Sequence, residues 1–129
     1  MANTITKTTL IDGPRNLIQL INIVGDGSGE ETNTLLVDRS AFAPTDGTET
    51  VVEMIEGCAS NFTFALSFDA TTDLVLARMP ADLFCFDWRF FGGASSNKAG
   101  AGANGDILLT TSSLGAGDAA TFYLHMLKK

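Results

Sequence analysis

Residues 83–111 read LFCFDWRFFGGASSNKAGAGANGDILLTT, two apolar runs around a glycine-rich gap. The first run, residues 83–91, alternates around Cys85, Asp87 and Arg89 and carries four phenylalanines and the chain's one tryptophan. The second, residues 106–111, is short, apolar and ends in threonines. The gap, residues 92–105, is unsuited to a helix, because each glycine there costs about 1 kcal/mol relative to alanine. The stretch therefore reads as strand, long loop, strand.

The same reading extends in both directions. In residues 62–68, Phe62, Phe64, Leu66 and Phe68 alternate with Thr63, Ala65 and Ser67, the clearest period-two pattern in the chain. Residues 120–127 alternate likewise, with Phe122, Leu124 and Met126 on one side and Tyr123, His125 and Leu127 on the other. Residues 15–24 are apolar on both faces and read as a central strand. Residues 48–58 have spacings that suit helix or strand; their strand neighbours favour a strand. Residues 74–79 form another strand, stopped by Pro80. Turn signals occur at 12–14, 25–29, 69–73 and 114–118. A tight hairpin at 25–29 is the simplest connection back into a return strand over 31–39. Residues 1–12 are threonine-rich and read as an edge strand or, over 1–9, as an extended amino-terminal arm. Eight or nine strands at spacings near ten residues predict an all-β fold. The expectation is one domain over 1–129, an antiparallel β-sandwich or jelly-roll-like barrel.

With 129 residues, the chain can bury a core without disulfides or metal. Its net charge is −7, with eight Lys and Arg in all. That balance argues against nucleic acid, which requires a basic face to displace counterions, and against anionic membranes. Charged residues are 18% of the total, below the usual quarter, which suggests that a partner covers part of the surface. No secretory signal is legible in residues 1–9 and no run approaches a membrane span, so folding in a cytoplasm is expected. Cys58 and Cys85 each sit in an apolar run and read as buried small hydrophobes, with a disulfide as the alternative.

Candidate chemistry is sparse. Gly100, Gly102 and Gly105 spell G-x-G-x-x-G, but a strand pattern follows where a dinucleotide site needs a helix. Asp26, Ser28 and Glu30 imitate the start of a calcium loop without its remaining ligands. His125, the one histidine, has no second histidine for zinc and no nucleophile elbow to serve. Asp69, Asp73, Asp82 and Asp87 are candidates for a carboxylate pair only as any four aspartates would be. Asn61-Phe62-Thr63 is a formal glycosylation sequon, without meaning unless the chain is secreted. No catalytic, cofactor-binding or metal-binding residue is assigned, and the chain is read as a non-enzyme. Trp88, Arg89, Phe90 and Phe91 are of the types enriched at interface hot spots. On a strand they would point two to each face, one toward the core and the other toward a second buried layer or a partner.

Three stretches carry a resemblance. They are 1–18 (MANTITKTTLIDGPRNLI) with 25–32 (GDGSGEET), 86–93 (FDWRFFGG), and 99–118 (AGAGANGDILLTTSSLGAGD) leading to a strand and a lysine end. Together they resemble small structural proteins of tailed bacteriophages, of the capsid decoration or cement type. The resemblance implies a β-rich subunit on the outer surface of a virion head, made in the host cytoplasm and bound to the major capsid protein. It also implies a homo-oligomer, a trimer before a dimer. A tail- or adaptor-associated phage domain is the nearest alternative; a carbohydrate-binding β-sandwich is the alternative of another class. No functional residues carry over from the resemblance.

Overall fold

The computed structural model describes residues 3–42, 50–91 and 105–128. Among the described residues nine strands run in chain order: β1 (Thr4–Asp12), β2 (Asn16–Val24), β3 (Thr34–Val37), β4 (Thr50–Ala59), β5 (Thr63–Phe68), β6 (Leu74–Met79), β7 (Leu83–Asp87), β8 (Ile107–Ser112) and β9 (Ala119–Lys128). They form two antiparallel sheets. Sheet A has the order β1-β2-β9-β4-β7 and sheet B the order β3-β8-β5-β6.

Four pairings define the winding. β2 pairs with β9, β3 with β8, β4 with β7 and β5 with β6. The chain is thus one long antiparallel ribbon, folded at its middle and rolled so that successive pairs fall alternately in the two sheets. That is the jelly-roll arrangement, with β1 added at one edge. The predicted sandwich or jelly roll is therefore the observed fold.

Period-two alternation builds the core between the sheets. Leu17, Ile21 and Ile23 of β2, Ile55 of β4, and Phe122, Leu124 and Met126 of β9 point inward from sheet A. Phe64, Leu66 and Phe68 of β5, with Ile107 and Leu109 of β8, meet them from sheet B. Each buried side chain of this size contributes about 1.5–3 kcal/mol relative to exposure. At the centre Phe64 stacks on Phe122 at 5.0 Å and meets Phe84 edge-on at 5.7 Å, tying the sheets together.

Several sequence expectations change. Residues 25–29 do not form a hairpin, because both sides of β2 are already occupied, by β1 and by β9. The return strand instead crosses to sheet B as β3. The crossing is fixed by the turn before β9: the Gly25 amide donates to Asp118 O at 2.8 Å, and the Gly117 amide donates to Gly25 O at 3.0 Å. Gly25 is required there, since a Cβ would lie 2.3 Å from Gly115 O. Glu30, read as part of a cation loop, accepts from the Ser113 and Leu114 amides at 2.6 and 2.8 Å. Asp26 accepts from the Ser28 amide, and hydrogen bonding to the Ser28 side chain, followed by that amide, holds its carboxyl below the usual range.

The amino-terminal stretch takes the edge-strand alternative. Residues 4–9 pair with β2 throughout rather than extending as an arm. The run over 83–91 is shorter as a strand than expected; β7 ends at Asp87 and a single 3-10 turn follows, Arg89–Phe91. The glycine-rich loop, apart from Gly105, lies outside the described residues. Among the described residues the element that follows it is a strand, β8, and not the helix that a dinucleotide site needs. Arg39 is fully buried at the end of β3; its amide donates to Asp106 Oδ1 and its Nη1 to Phe42 O. Nothing in the sequence pattern marked that position. Among the described residues, no helix is long and apolar enough to cross a membrane.

Candidate partner-binding surface

The outer face of sheet A, turned away from sheet B, carries the surface of interest. Register fixes its pattern. Cys58 lies between Leu83 and Thr121, Glu56 between Cys85 and Tyr123, and Met54 between Asp87 and His125. The middle of this lattice is small: Cys58, Cys85 and Thr121 have short side chains. Leu83 and Tyr123 rise on the two sides. The result is a shallow concavity of about 720 Å³, its lining mostly apolar.

Cys58 and Cys85 are corrections to the sequence reading. Both are exposed thiols with no disulfide between them. The neighbours of each in sequence decide this: Ala59 and Phe84 take the inward positions, so the pleat turns both cysteines out.

Trp88, Arg89, Phe90 and Phe91 follow β7 at the rim. Since they lie after the strand has ended, the two-per-face expectation does not hold. Glu53, the extra residue where β4 slips against β9, accepts the Trp88 amide at 2.8 Å as the last rung between β4 and β7. Trp88 stacks on Phe86 at 5.7 Å, nearly parallel, and packs against the core. Phe90 is 89% exposed. The Phe91 side chain lies outside the described residues. The aromatic group therefore splits, with Trp88 anchored inward and Phe90 presented to solvent.

Arg89 folds back on Asp87. Its Nε and Nη2 donate to the two carboxylate oxygens at 2.9 and 2.7 Å, and its amide donates to Oδ1 at 3.0 Å. This fork holds the Asp87 carboxyl well below its ordinary value of 3.8, at about 2. A depressed folded-state pKa stabilises the folded form above the ordinary value and ceases to do so as pH falls through the depressed one. The link should therefore persist at pH 4 and dissolve near pH 2. NMR titration of the Asp87 carboxyl carbon checks this, and Arg89→Gln should return the midpoint toward 3.8. An unchanged midpoint in that variant would remove the fork as the cause.

The other candidate groups lie apart from one another or serve local turns among the described residues. His125 is half-buried on β9, its Nε2 3.5 Å from Glu56 Oε1. Asp73 accepts the Ala70 amide and Asp82 accepts the Leu83 amide, so both serve local turns. Among the described residues, no group of three His, Cys, Asp or Glu is disposed to hold a metal ion.

Sequence reasoning singled out residues 88–91, and Tyr123 beside Trp88 as a ring that could stack on sugar, and missed Glu56 and Leu83. The signal was present in two alternations, 83–87 and 120–127, whose polar-side positions share one face once the strands are placed in one sheet. Placing them there needed the topology. No protein-family profile matches the chain, and no curated protein sequence matches it.

Proposed function

We propose that this protein is a structural virion component, a capsid decoration or cement subunit that binds the outer surface of a phage head through the major capsid protein. The observation that carries the reading is the exposed apolar lattice on the outer face of sheet A, with Leu83 78% and Phe90 89% exposed at its margin. A jelly roll by itself does not specify function. An apolar, small-centred surface beside an exposed aromatic on an otherwise acidic domain favours attachment to a protein. The resemblance of residues 1–18, 25–32, 86–93 and 99–118 to phage decoration proteins points the same way.

On this reading the subunit adds buried area across joints of an assembled shell. A standard protein interface buries about 1,600 Å² in total. Many copies on one shell, linked as oligomers, raise the cost of opening it through avidity. A trimer is the assembly proposed, a dimer the alternative, and light scattering of the purified protein distinguishes them. The test of function is sedimentation with heads assembled without this protein. The protein should pellet with them and raise the temperature at which they open. Protein that stays in the supernatant would refute the reading. Binding to tails or adaptors instead of heads would move it to another part of the virion.

One observation favours a second reading, a carbohydrate-binding module. Tyr123 is 40% exposed and stands beside Glu56 at the concavity, as a ring that stacks on sugar would. Binding to a glycan array, lost in Tyr123→Ala, would support it.

A further inference from the structure

The four edge strands of the sandwich are not alike. β1 carries an extra residue at Leu10, where its register against β2 slips, and Lys7 lies on the same strand. β3 slips at Leu36, and Lys7 Nζ caps the adjacent Leu35 O at 3.2 Å. β6 slips at Leu76 and carries Arg78. Bulges and basic residues are devices that keep open sheet edges from pairing. β7 has none of them. Its five residues pair with β4 without a slip, and it contains no Lys, Arg or Pro.

The phase of that ladder is fixed at both ends. The Ala59 amide donates to Asp82 O at 3.1 Å, and the Trp88 amide donates to Glu53 O at 2.8 Å. Antiparallel alternation then turns the backbone groups of Phe84 and Phe86 toward β4 and those of Leu83, Cys85 and Asp87 outward. Asp82 Oδ1 takes the Leu83 amide. The Cys85 amide and carbonyl face the open edge, and among the described residues no strand pairs with them. The Leu83 and Cys85 side chains stand over the apolar concavity beside this edge.

We infer that β7 is an acceptor edge, to which an extended segment of the shell protein adds as a sixth strand of sheet A. This deepens the decoration reading and rests on it. Main-chain bonds to Cys85 would supply the attachment, and the concavity would take alternate apolar side chains of the segment. Glu56 and Asp82 flank the edge, while the nearby Arg89 is already held by Asp87. The segment should therefore carry lysine or arginine between its apolar residues. A second copy of this chain is the poorer occupant: each copy has a net charge of −7, and antiparallel β7–β7 pairing centred on Cys85 would bring the two Glu56 side chains level with each other across the joined edges.

The chain's two cysteines, Cys58 and Cys85, report on this site directly, since both are exposed there. In the free protein both should react with a maleimide. On heads assembled without this protein and then saturated with it, labelling of both should be lost. Cys85→Pro removes an outward amide and no bond to β4, so it should fold as the parent does and bind heads about tenfold more weakly. Leu83→Glu, a change at an exposed side chain, should weaken binding without touching the backbone. Binding with both thiols still reactive and both variants unimpaired would overturn the edge proposal and leave shell attachment standing. Failure of the parent protein to bind heads would bring down attachment and this inference together. A solution dimer cross-linked through Cys85 would assign the edge to a second copy and overturn the proposal.

Discussion

Replacing Gly57 by alanine should destabilise the domain by about 4 kcal/mol or more, placing it among the severe single substitutions. Two effects oppose each other. Alanine restricts the unfolded chain and suits a strand better than glycine, which alone would favour the variant by up to about 1 kcal/mol. Against this, a Cβ at Gly57 would lie 2.2 Å from Thr121 O and 2.6 Å from the Phe122 Cα and Cβ. The first of these is backbone of the neighbouring strand β9 and cannot rotate away. Ordinary overpacking costs about 1–3 kcal/mol when side chains can adjust; here two central strands of sheet A must separate. With total stabilities of about 5–15 kcal/mol, little folded protein would remain at 37 °C in a marginal domain. Urea denaturation followed by tryptophan fluorescence measures the loss. A midpoint equal to or above the parent's would show that sheet A yields at this point and that the close approach is not required.

The second large effect is expected at Phe64. Its ring contacts Phe62, Phe84 and Phe122, at centroid separations of 6.1, 5.7 and 5.0 Å. Phe62 lies just before β5, while Phe84 and Phe122 belong to sheet A, so one side chain of sheet B joins the aromatic contacts across the sandwich. Phe64→Ala should cost about 3–5 kcal/mol, the range for deleting a buried aromatic. Phe64→Leu should recover a good part of that, because it refills most of the volume and loses chiefly the ring geometry. The two variants separate volume from aromatic contact. Equal losses in both would assign the effect to the rings; a near-parental leucine variant would assign it to packing. The effects of Gly57 and Phe64 should not be additive, because both act on Phe122.

Much of the fold was legible in the sequence because the sandwich core depends on alternation. Phe64, Leu66 and Phe68, and Phe122, Leu124 and Met126, announce their inward faces without reference to any partner. The long-range features were not legible. Whether residues 25–29 turn back or cross depends on what already flanks β2, and β9 comes from the far end of the chain. The inward position of Arg39 and the role of Glu30 in holding the 113–114 amides likewise arise between segments distant in sequence. At the candidate surface, the aromatic-arginine composition of residues 88–91 was visible, yet the break after Asp87 was not. That break follows a last rung from the Trp88 amide to Glu53 O, a contact between distant segments that composition does not mark. The cysteines were misplaced for a related reason. An apolar run in a two-layer fold has two sides, and size alone does not tell which of them meets the other sheet.

The position of β9 has a consequence for how the molecule comes into being. It joins β2 to β4, so without it the five-stranded sheet is two separate ribbons, β1 with β2 and β4 with β7. Until β9 has been made, a growing polypeptide can complete sheet B but holds the apolar side chains of sheet A on two unjoined ribbons. Closure of sheet A must await synthesis of β9, and long-separated pairings of this kind form slowly. Over that interval the nascent chain depends on its negative charge, and on any chaperone present, to stay apart from its neighbours.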